Sequence, residues 1–196
     1  MQFVFALTFI LLATAYRIVS AWYPELVNFS PLMALTFCSG VYFRNKWMWL
    51  VPFAALSLSD LYLNHYYAAA FGESWPFQGE LVRTASFASA LVFGVAVSQR
   101  KNWLNLLSGT LGGSVFFYLA TNTHAWLADP AYLKSAAGWW QAVTVGRPEF
   151  PPTLLFFRNT LLGDLLFTGL FVLAMEYAAV KRGQPSLLPD RATQKA

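Results

Sequence analysis

The sequence predicts an all-α membrane protein, a bundle of six transmembrane helices with both termini in the cytoplasm. Three observations lead to this prediction: few charged residues, a series of long apolar segments, and basic residues in alternate connections. Of the 196 residues, 57% are hydrophobic and 11% are charged, whereas a soluble domain has about 25% charged residues. This composition excludes a water-soluble surface of ordinary polarity, and no run of Lys and Arg indicates nucleic-acid binding.

The apolar segments have the length that a membrane requires, which is about 20 residues for each helix. The second segment is short and opens near Pro31. It fits a tilted span, a partly re-entrant span, or a helix that starts in a structured loop, since irregular backbone at membrane depth is tolerated only inside protein. The six segments cover residues 1–22, 30–43, 47–67, 81–98, 103–127 and 152–180.

Charged residues in the connections set the orientation. The connections after the second and fourth segments and the C-terminal tail together carry eight basic residues and one acidic residue. The other three connections carry two basic and five acidic residues. Because loops rich in Lys and Arg stay on the cytoplasmic side, the pattern predicts both termini inside, in a bacterial inner (plasma) membrane.

The first segment has a second interpretation, a secretory signal with Ala13-Thr14-Ala15 as its cleavage site. The start of the chain lacks the basic residues of such a signal, and the apolar stretch continues past that site. We therefore expect one transmembrane domain over residues 1–183. Residues 184–196 are predicted to be a disordered polar cytoplasmic tail.

Ionisable residues inside apolar segments are expensive and mark either structure or function, and four of them are the candidates here. They are Arg17, Asp60, Arg158 and Asp164. The helical rise of about 1.5 Å per residue places all four in the outer half or near mid-depth. We expect them to form a supporting charge network of ion pairs, and a ligand-binding or ion-coupling role is the alternative.

Polar and aromatic residues gather at the predicted outer ends of the helices, beneath a long connection over residues 128–151. Such a cluster is typical of a pocket for a small ligand, and a long connection is often a lid. Anchoring at the membrane interface is the other interpretation. The predicted substrate-binding residues are Asp60, Asn64, His65, Asn122, His124, Trp126, Trp139 and Trp140.

Catalytic and metal-binding signatures are not found in the sequence. It contains no phosphate loop, no H-E-x-x-H and no G-x-S-x-G pattern. The single cysteine, Cys38, excludes an internal disulfide and reads as a buried inert thiol, with a ligand to a metal-bearing cofactor as the alternative. We therefore expect no enzyme, no cofactor and no metal site, although an intramembrane enzyme using His124 remains a third class of function.

Several short motifs resemble those of a family of small, uncharacterised bacterial membrane proteins. That family is in turn similar to the substrate-binding S-components of energy-coupling-factor (ECF) vitamin transporters. The resemblance covers nearly all of residues 15–175. The motifs are Asn28-Phe29-Ser30-Pro31 before Ala34-Leu35, Leu58-Ser59-Asp60, Phe116-Phe117 with Thr121-Asn122 and Trp126, and Gly163-Asp164 with Phe167-Thr168.

The similarity to S-components implies six helices, an outward ligand pocket closed by loops, and an ATP-driven energising module as partner. S-components dock on that module through an A-x-x-x-A stripe on the first helix. Ala6, Ala13 and Ala15 do not have this spacing. A solitary transporter or binding protein therefore fits the sequence better than docking on a shared module.

These observations favour a protein that binds a small vitamin-like or cofactor-like solute from the periplasmic side and takes it up. Its expected partners are the lipid bilayer and the small-molecule ligand. The competing interpretation is a non-transporting scaffold, an accessory subunit of a larger membrane complex.

Overall fold

The computed structural model describes residues 2–71 and 77–188, and within these residues it contains seven α-helices and no strand. Each predicted apolar segment coincides with a helix, and the additional short helix α6 lies in the predicted lid connection. The helices are α1 (Gln2–Ser20), α2 (Leu32–Tyr42), α3 (Val51–Phe71), α4 (Phe77–Ser98), α5 (Trp103–Ala128), α6 (Ala136–Ala142) and α7 (Thr153–Lys181). Two short 3₁₀ helices, Pro24–Leu26 and Lys46–Leu50, precede α2 and α3.

Three of the described helices are long and apolar enough to cross a membrane: α4 from Gly79 onward, α5 and α7. Their outward faces carry large exposed apolar side chains, such as Val92, Leu104 and Leu170, which suit lipid. These helices indicate a membrane protein. Helix α3 has 21 residues and carries polar side chains, among them Asp60 and Asn64.

The short helix α2 lies at the centre of the fold and is buried over most of its length. Its 11 residues extend only about 16 Å, too little to cross a hydrocarbon core about 30 Å thick. It packs against α3, α4, α5 and α7. The second apolar segment was predicted to be a tilted span, a partly re-entrant span or a helix that starts in a structured loop. The structure shows a helix that starts in a structured loop.

A glycine crossing brings α2 and α4 into backbone contact. A Cβ atom on Gly94 would lie 2.0 Å from the Phe37 carbonyl oxygen, and one on Gly40 would lie 2.5 Å from the Leu91 carbonyl oxygen. Any larger residue at either position would push the helices apart. Close backbone approach of this kind is how helices associate in lipid, where burial of apolar side chains gives little driving force.

The loop before α2 is held against α7. The Asn159 side chain donates from Nδ2 to the carbonyl oxygens of Glu25 and Val27, each at 2.9 Å. Asn28 adopts a positive φ of 65°, a conformation that Asn tolerates better than most residues. These contacts place the start of α2 beside the first turns of α7.

Candidate functional site

Polar side chains occupy three places in the bundle. One is the end that carries the α5–α7 connection, here called the loop end. The second is a small interior cavity beside Asp164. The third is the opposite end, where the residues after α7 fold back, here called the tail end.

The loop end contains a cluster of two arginines and two carboxylates, here called the charge tetrad, which consists of Arg17, Asp60, Glu80 and Arg83. Arg17 forms an ion pair with one carboxylate oxygen of Asp60. Arg83 lies 2.6 Å from the other oxygen and also pairs with Glu80. The tetrad joins α1, α3 and α4, and its formal charges sum to zero. It thus compensates its own burial without an external ion.

Two predicted ligand-binding residues lie beside the tetrad. Asn64 donates from Nδ2 to Glu80 Oε1 at 3.3 Å, so its amide is already bound to protein. His65, on the next position of α3, is exposed. The structure therefore brings Arg17, Asp60 and Asn64 together and leaves His65 outside their network.

The end of α5 carries three more of the predicted residues. Asn122 donates to the Tyr118 carbonyl oxygen of its own helix at 2.8 Å. Trp126 donates from Nε1 to the Leu133 carbonyl oxygen at 2.8 Å. His124 faces the start of α4, where a Cβ on Gly79 would lie 3.9 Å from its Nε2. Trp126 and His124 therefore face neighbouring segments, whereas Asn122 is bonded within α5.

The α5–α7 connection packs on the loop end and is closely fixed to α5. Trp139, in α6, donates from Nε1 to Thr123 Oγ1 at 2.9 Å, and the Tyr118 hydroxyl donates to the Val143 carbonyl oxygen. A Cβ on Gly138, within α6, would lie 1.9 Å from the Leu133 carbonyl oxygen, so the close approach of α6 to the preceding turn requires glycine here. Trp140 is 64% exposed and points away from this packing.

Charged side chains hold the base of this connection. Arg147 contacts Asp129 at 3.2 Å and Glu149 at 3.3 Å. A backbone hydrogen bond and the neighbouring Arg147 lower the pKa of Glu149. Burial is the main cause that raises the pKa of Tyr132 in the same connection.

The remaining predicted charges do not meet. Arg158 is exposed and contacts the Asn159 side chain at 3.3 Å. Asp164 is 3% exposed and its Oδ2 lies 2.6 Å from Ser114 Oγ on α5. Six residues separate Arg158 from Asp164, which puts them about 120° apart around a helix with 3.6 residues per turn. Arg158 therefore does not belong to a network with Asp164.

The Asp164 side chain lines a cavity of about 10 Å³ between α2, α4, α5 and α7, room for about one water molecule. Hydroxyl groups of Thr110, Ser114 and Thr168 line the same cavity. Thr168 Oγ1 is buried and forms no hydrogen bond among the described residues. The thiol of the buried Cys38 lies beside it, and a thiol is a weak hydrogen-bonding group.

The tail end contains a buried carboxylate that was not among the predicted site residues. Glu176 is 0% exposed and accepts hydrogen bonds from the Tyr42 hydroxyl at 2.7 Å and from Lys101 Nζ at 2.6 Å. Its other oxygen accepts from Ser186 Oγ at 2.9 Å and from the Leu187 backbone N–H at 2.6 Å. Glu176 therefore binds α2, the α4–α5 connection and the tail together.

Part of the predicted tail is thus described and packed. Residues 184–188 fold back against the end of α7. The first contact is a hydrogen bond from Gln184 N to the Ala179 carbonyl oxygen at 2.9 Å. The predicted disorder of residues 189–196 falls outside the described residues.

Sequence reasoning also missed Arg83, although it lies inside the predicted fourth segment. Two signals were present. Charged residues within an apolar segment require partners, and the spacing of Glu80 and Arg83 places them on one helical face. The same first signal applies to Glu176 in the last segment.

The chain matches, over residues 1–187, a family whose function is unknown. It belongs to the DUF6580 family. Neither the curated proteins nor the solved structures include a match to the chain. Membership of DUF6580 bears out the resemblance to an uncharacterised family.

Proposed function

We propose that this DUF6580 protein crosses the membrane six times with both termini in the cytoplasm, and that it binds a small vitamin-like or cofactor-like solute at the loop end for uptake. The six helices at the predicted segments support the six crossings. The basic connections and tail support the sidedness, because they fall at the tail end of the bundle. Helix α2 would complete its crossing through the loop before it, which Asn159 holds against α7.

The observation that carries the uptake proposal is Asp164. It lies in the interior of the bundle, beside a cavity and without an ion pair among the described residues. An intramembrane carboxylate is costly, and in membrane proteins it usually marks a pathway for substrate or ions. In this proposal the loop end receives the solute, Trp140 and Asn122 contact it, and the α5–α7 connection covers it.

The energy source is proposed to lie within the chain. The first helix lacks the A-x-x-x-A stripe on which an ECF-type module would dock, since Ala6, Ala13 and Ala15 have other spacings. An S-component-like arrangement, as the sequence resemblance implies it, would therefore account for the pocket and not for the module. The proposal assigns no catalytic role to His124 and no cofactor or metal to the chain.

A scaffold is the second candidate function, and the charge tetrad favours it. Both carboxylate oxygens of Asp60 are bound by arginines, and the Asn64 amide is bound by Glu80. Groups that are already satisfied do not need a ligand. A scaffold would use the loop end to stabilise the bundle and would bind other subunits instead of a solute.

Native mass spectrometry of the protein purified in nanodiscs distinguishes these functions. We expect a small molecule to be retained, and its occupancy to fall at least tenfold in Trp140→Ala. Trp47→Ala is the matched control, because Trp47 is similarly exposed, at 77%, but lies at the tail end. Retention of no molecule, together with a stable complex with other membrane subunits, would favour the scaffold.

Cysteine labelling in intact cells tests the sidedness. Cys38 is buried and should not react with a membrane-impermeant maleimide. We expect Trp140→Cys to be labelled from outside and Arg100→Cys to be labelled only after the membrane is opened. Labelling of both variants from the same side contradicts the six-crossing arrangement.

A further inference from the structure

We infer that Asp164 is a proton-binding site, at which the carboxylate takes up a proton from water and releases it again through the interior cavity. The inference rests on the proposed uptake function, because it assigns the proton the role of driving solute movement. Its evidence is separate, and comes from the hydrogen-bond geometry between α5 and α7.

The balance of hydrogen-bond donors and acceptors around Ser114 favours a neutral form of Asp164. Ser114 Oγ lies 3.0 Å from the Thr110 carbonyl oxygen and 2.6 Å from Asp164 Oδ2, so two acceptors surround a hydroxyl that has one hydrogen. If Ser114 donates to the carbonyl, the contact with Asp164 requires a hydrogen on the carboxyl group. A protonated Asp164 satisfies both contacts.

Among the described residues that line the cavity, none carries a charge that would hold Asp164 in its ionised form. The cavity-lining residues of α2, α4 and α5 are apolar, glycine or hydroxyl-bearing, and none of them is charged. The nearby titratable groups on these helices are the Cys38 thiol on α2, beside Thr168, and the Tyr118 hydroxyl on α5, one turn along the helix from Ser114. The hydroxyl is already bound to Val143. An ionised carboxylate here would bear most of its desolvation cost uncompensated.

Release of the proton is nevertheless feasible, because a hydroxyl donor with only a weak partner lies beside the cavity. After the proton leaves for water, the Ser114 hydroxyl can rotate to donate to Asp164 Oδ2, while the Thr110 carbonyl keeps its helical hydrogen bond. The Thr168 hydroxyl is buried, and its neighbour among the described residues is the Cys38 thiol, a weak partner. It can turn to the water that the cavity has room for, and that water can solvate the charged form.

The cavity suits a proton better than a metal cation. A bound Ca²⁺ takes about 6–8 oxygen ligands, and Mg²⁺ requires near-octahedral geometry. The cavity offers one carboxylate and three hydroxyl groups, of which Thr110 Oγ1 is bound to the Leu106 carbonyl oxygen. A volume of about 10 Å³ leaves no room for a hydrated ion.

Infrared difference spectroscopy of the solute-free protein in nanodiscs tests the inference. Spectra at mildly acidic and mildly alkaline pH are subtracted for the wild type, Asp164→Asn and Ser114→Ala. We expect the wild type to show a carbonyl-stretch band of a protonated carboxylic acid that disappears on alkalinisation. The band should be lost in Asp164→Asn and shifted in Ser114→Ala, because Ser114 is the hydrogen-bond partner. Glu176→Gln is the control and should retain it.

A band that never changes with pH, or the absence of any band that depends on Asp164, overturns the inference. If Asp164→Asn cannot be purified, the Ser114→Ala spectrum decides: a shifted band supports the assignment and an unshifted band overturns it. Because no solute is present, the result is independent of the mass-spectrometry experiment. A titrating Asp164 in a protein that retains no solute would contradict only the proposed uptake function.

Discussion

Helix α7 buries two carboxylates, Asp164 and Glu176, about 18 Å apart along its axis, and they have different hydrogen-bond partners. Glu176 has a lysine, a tyrosine, a serine and a backbone N–H as partners. Asp164 has one serine and a water-sized cavity. Both side chains are almost fully excluded from solvent, so burial alone does not separate them.

The difference shows how partners decide what a buried carboxylate can do. A charge whose oxygens are all bound is compensated in its ionised form, and it fixes the elements that supply the donors. Glu176 therefore serves as an anchor at the tail end. A carboxylate with one neutral partner can change its protonation state at lower cost, and Asp164 is free to serve a function that requires such a change.

Loss of the Glu176 charge should produce the largest effect on stability. We expect Glu176→Gln to lower the free energy of unfolding by about 3 kcal/mol, because Lys101 loses its counter-charge and a glutamine amide faces other donors. Reversible unfolding in mixed micelles measures this value. Glu149→Gln is the control, since the Glu149 side chain is 62% exposed, and it should change stability much less than Glu176→Gln does. Equal effects of the two variants would contradict the anchor role.

Loss of a charge from the charge tetrad should have an intermediate effect on stability, because the tetrad is partly accessible to water. Asp60→Asn removes the carboxylate between Arg17 and Arg83 and should lower the free energy of unfolding by about 2 kcal/mol. Adding Arg17→Met restores the charge balance, so the double variant should be more stable than the sum of the two single changes predicts. Strict additivity in the same unfolding assay would show that the tetrad is not a coupled unit.

Neutralising Asp164 should have the smallest effect of the three buried carboxylates. In Asp164→Asn the amide N–H can donate to Ser114 Oγ as a protonated carboxyl would, so the free energy of unfolding at neutral pH should change by less than about 1 kcal/mol. Leu162→Asn, two residues away on the exposed face of α7, is a control for polarity in the same helix. A loss as large as that of Glu176→Gln would remove the distinction between the two sites.

The helices could be predicted from the sequence because a membrane imposes one length and one composition on each. The charge tetrad could be predicted only in part. Arg17 and Asp60 were expected to pair, but the contribution of Arg83 was missed because it lies at the start of a segment. The position of Arg158 was predictable from helical geometry, which places it on a different face from Asp164. The role of Glu176 was not predictable, since its partners come from three separate parts of the chain.

Glu149 is the exposed counterpart of the buried carboxylates Asp164 and Glu176, because its own carboxylate remains largely in water. Its pKa is lowered by a backbone hydrogen bond and by Arg147, so its contribution to loop stability is present above its ordinary pKa and is lost as pH falls through the lowered value. In Arg147→Gln we expect the pKa of Glu149 to rise only part of the way to its ordinary value, because the backbone hydrogen bond persists. NMR of labelled glutamate measures this pKa. Lys134→Gln should leave it unchanged, since Lys134 bonds to the carbonyl oxygens of Trp126 and Asp129 instead. Added salt should weaken the effect of Arg147 in the wild type. An unchanged pKa in Arg147→Gln would mean that water, and not the arginine, sets the charge of the exposed carboxylate.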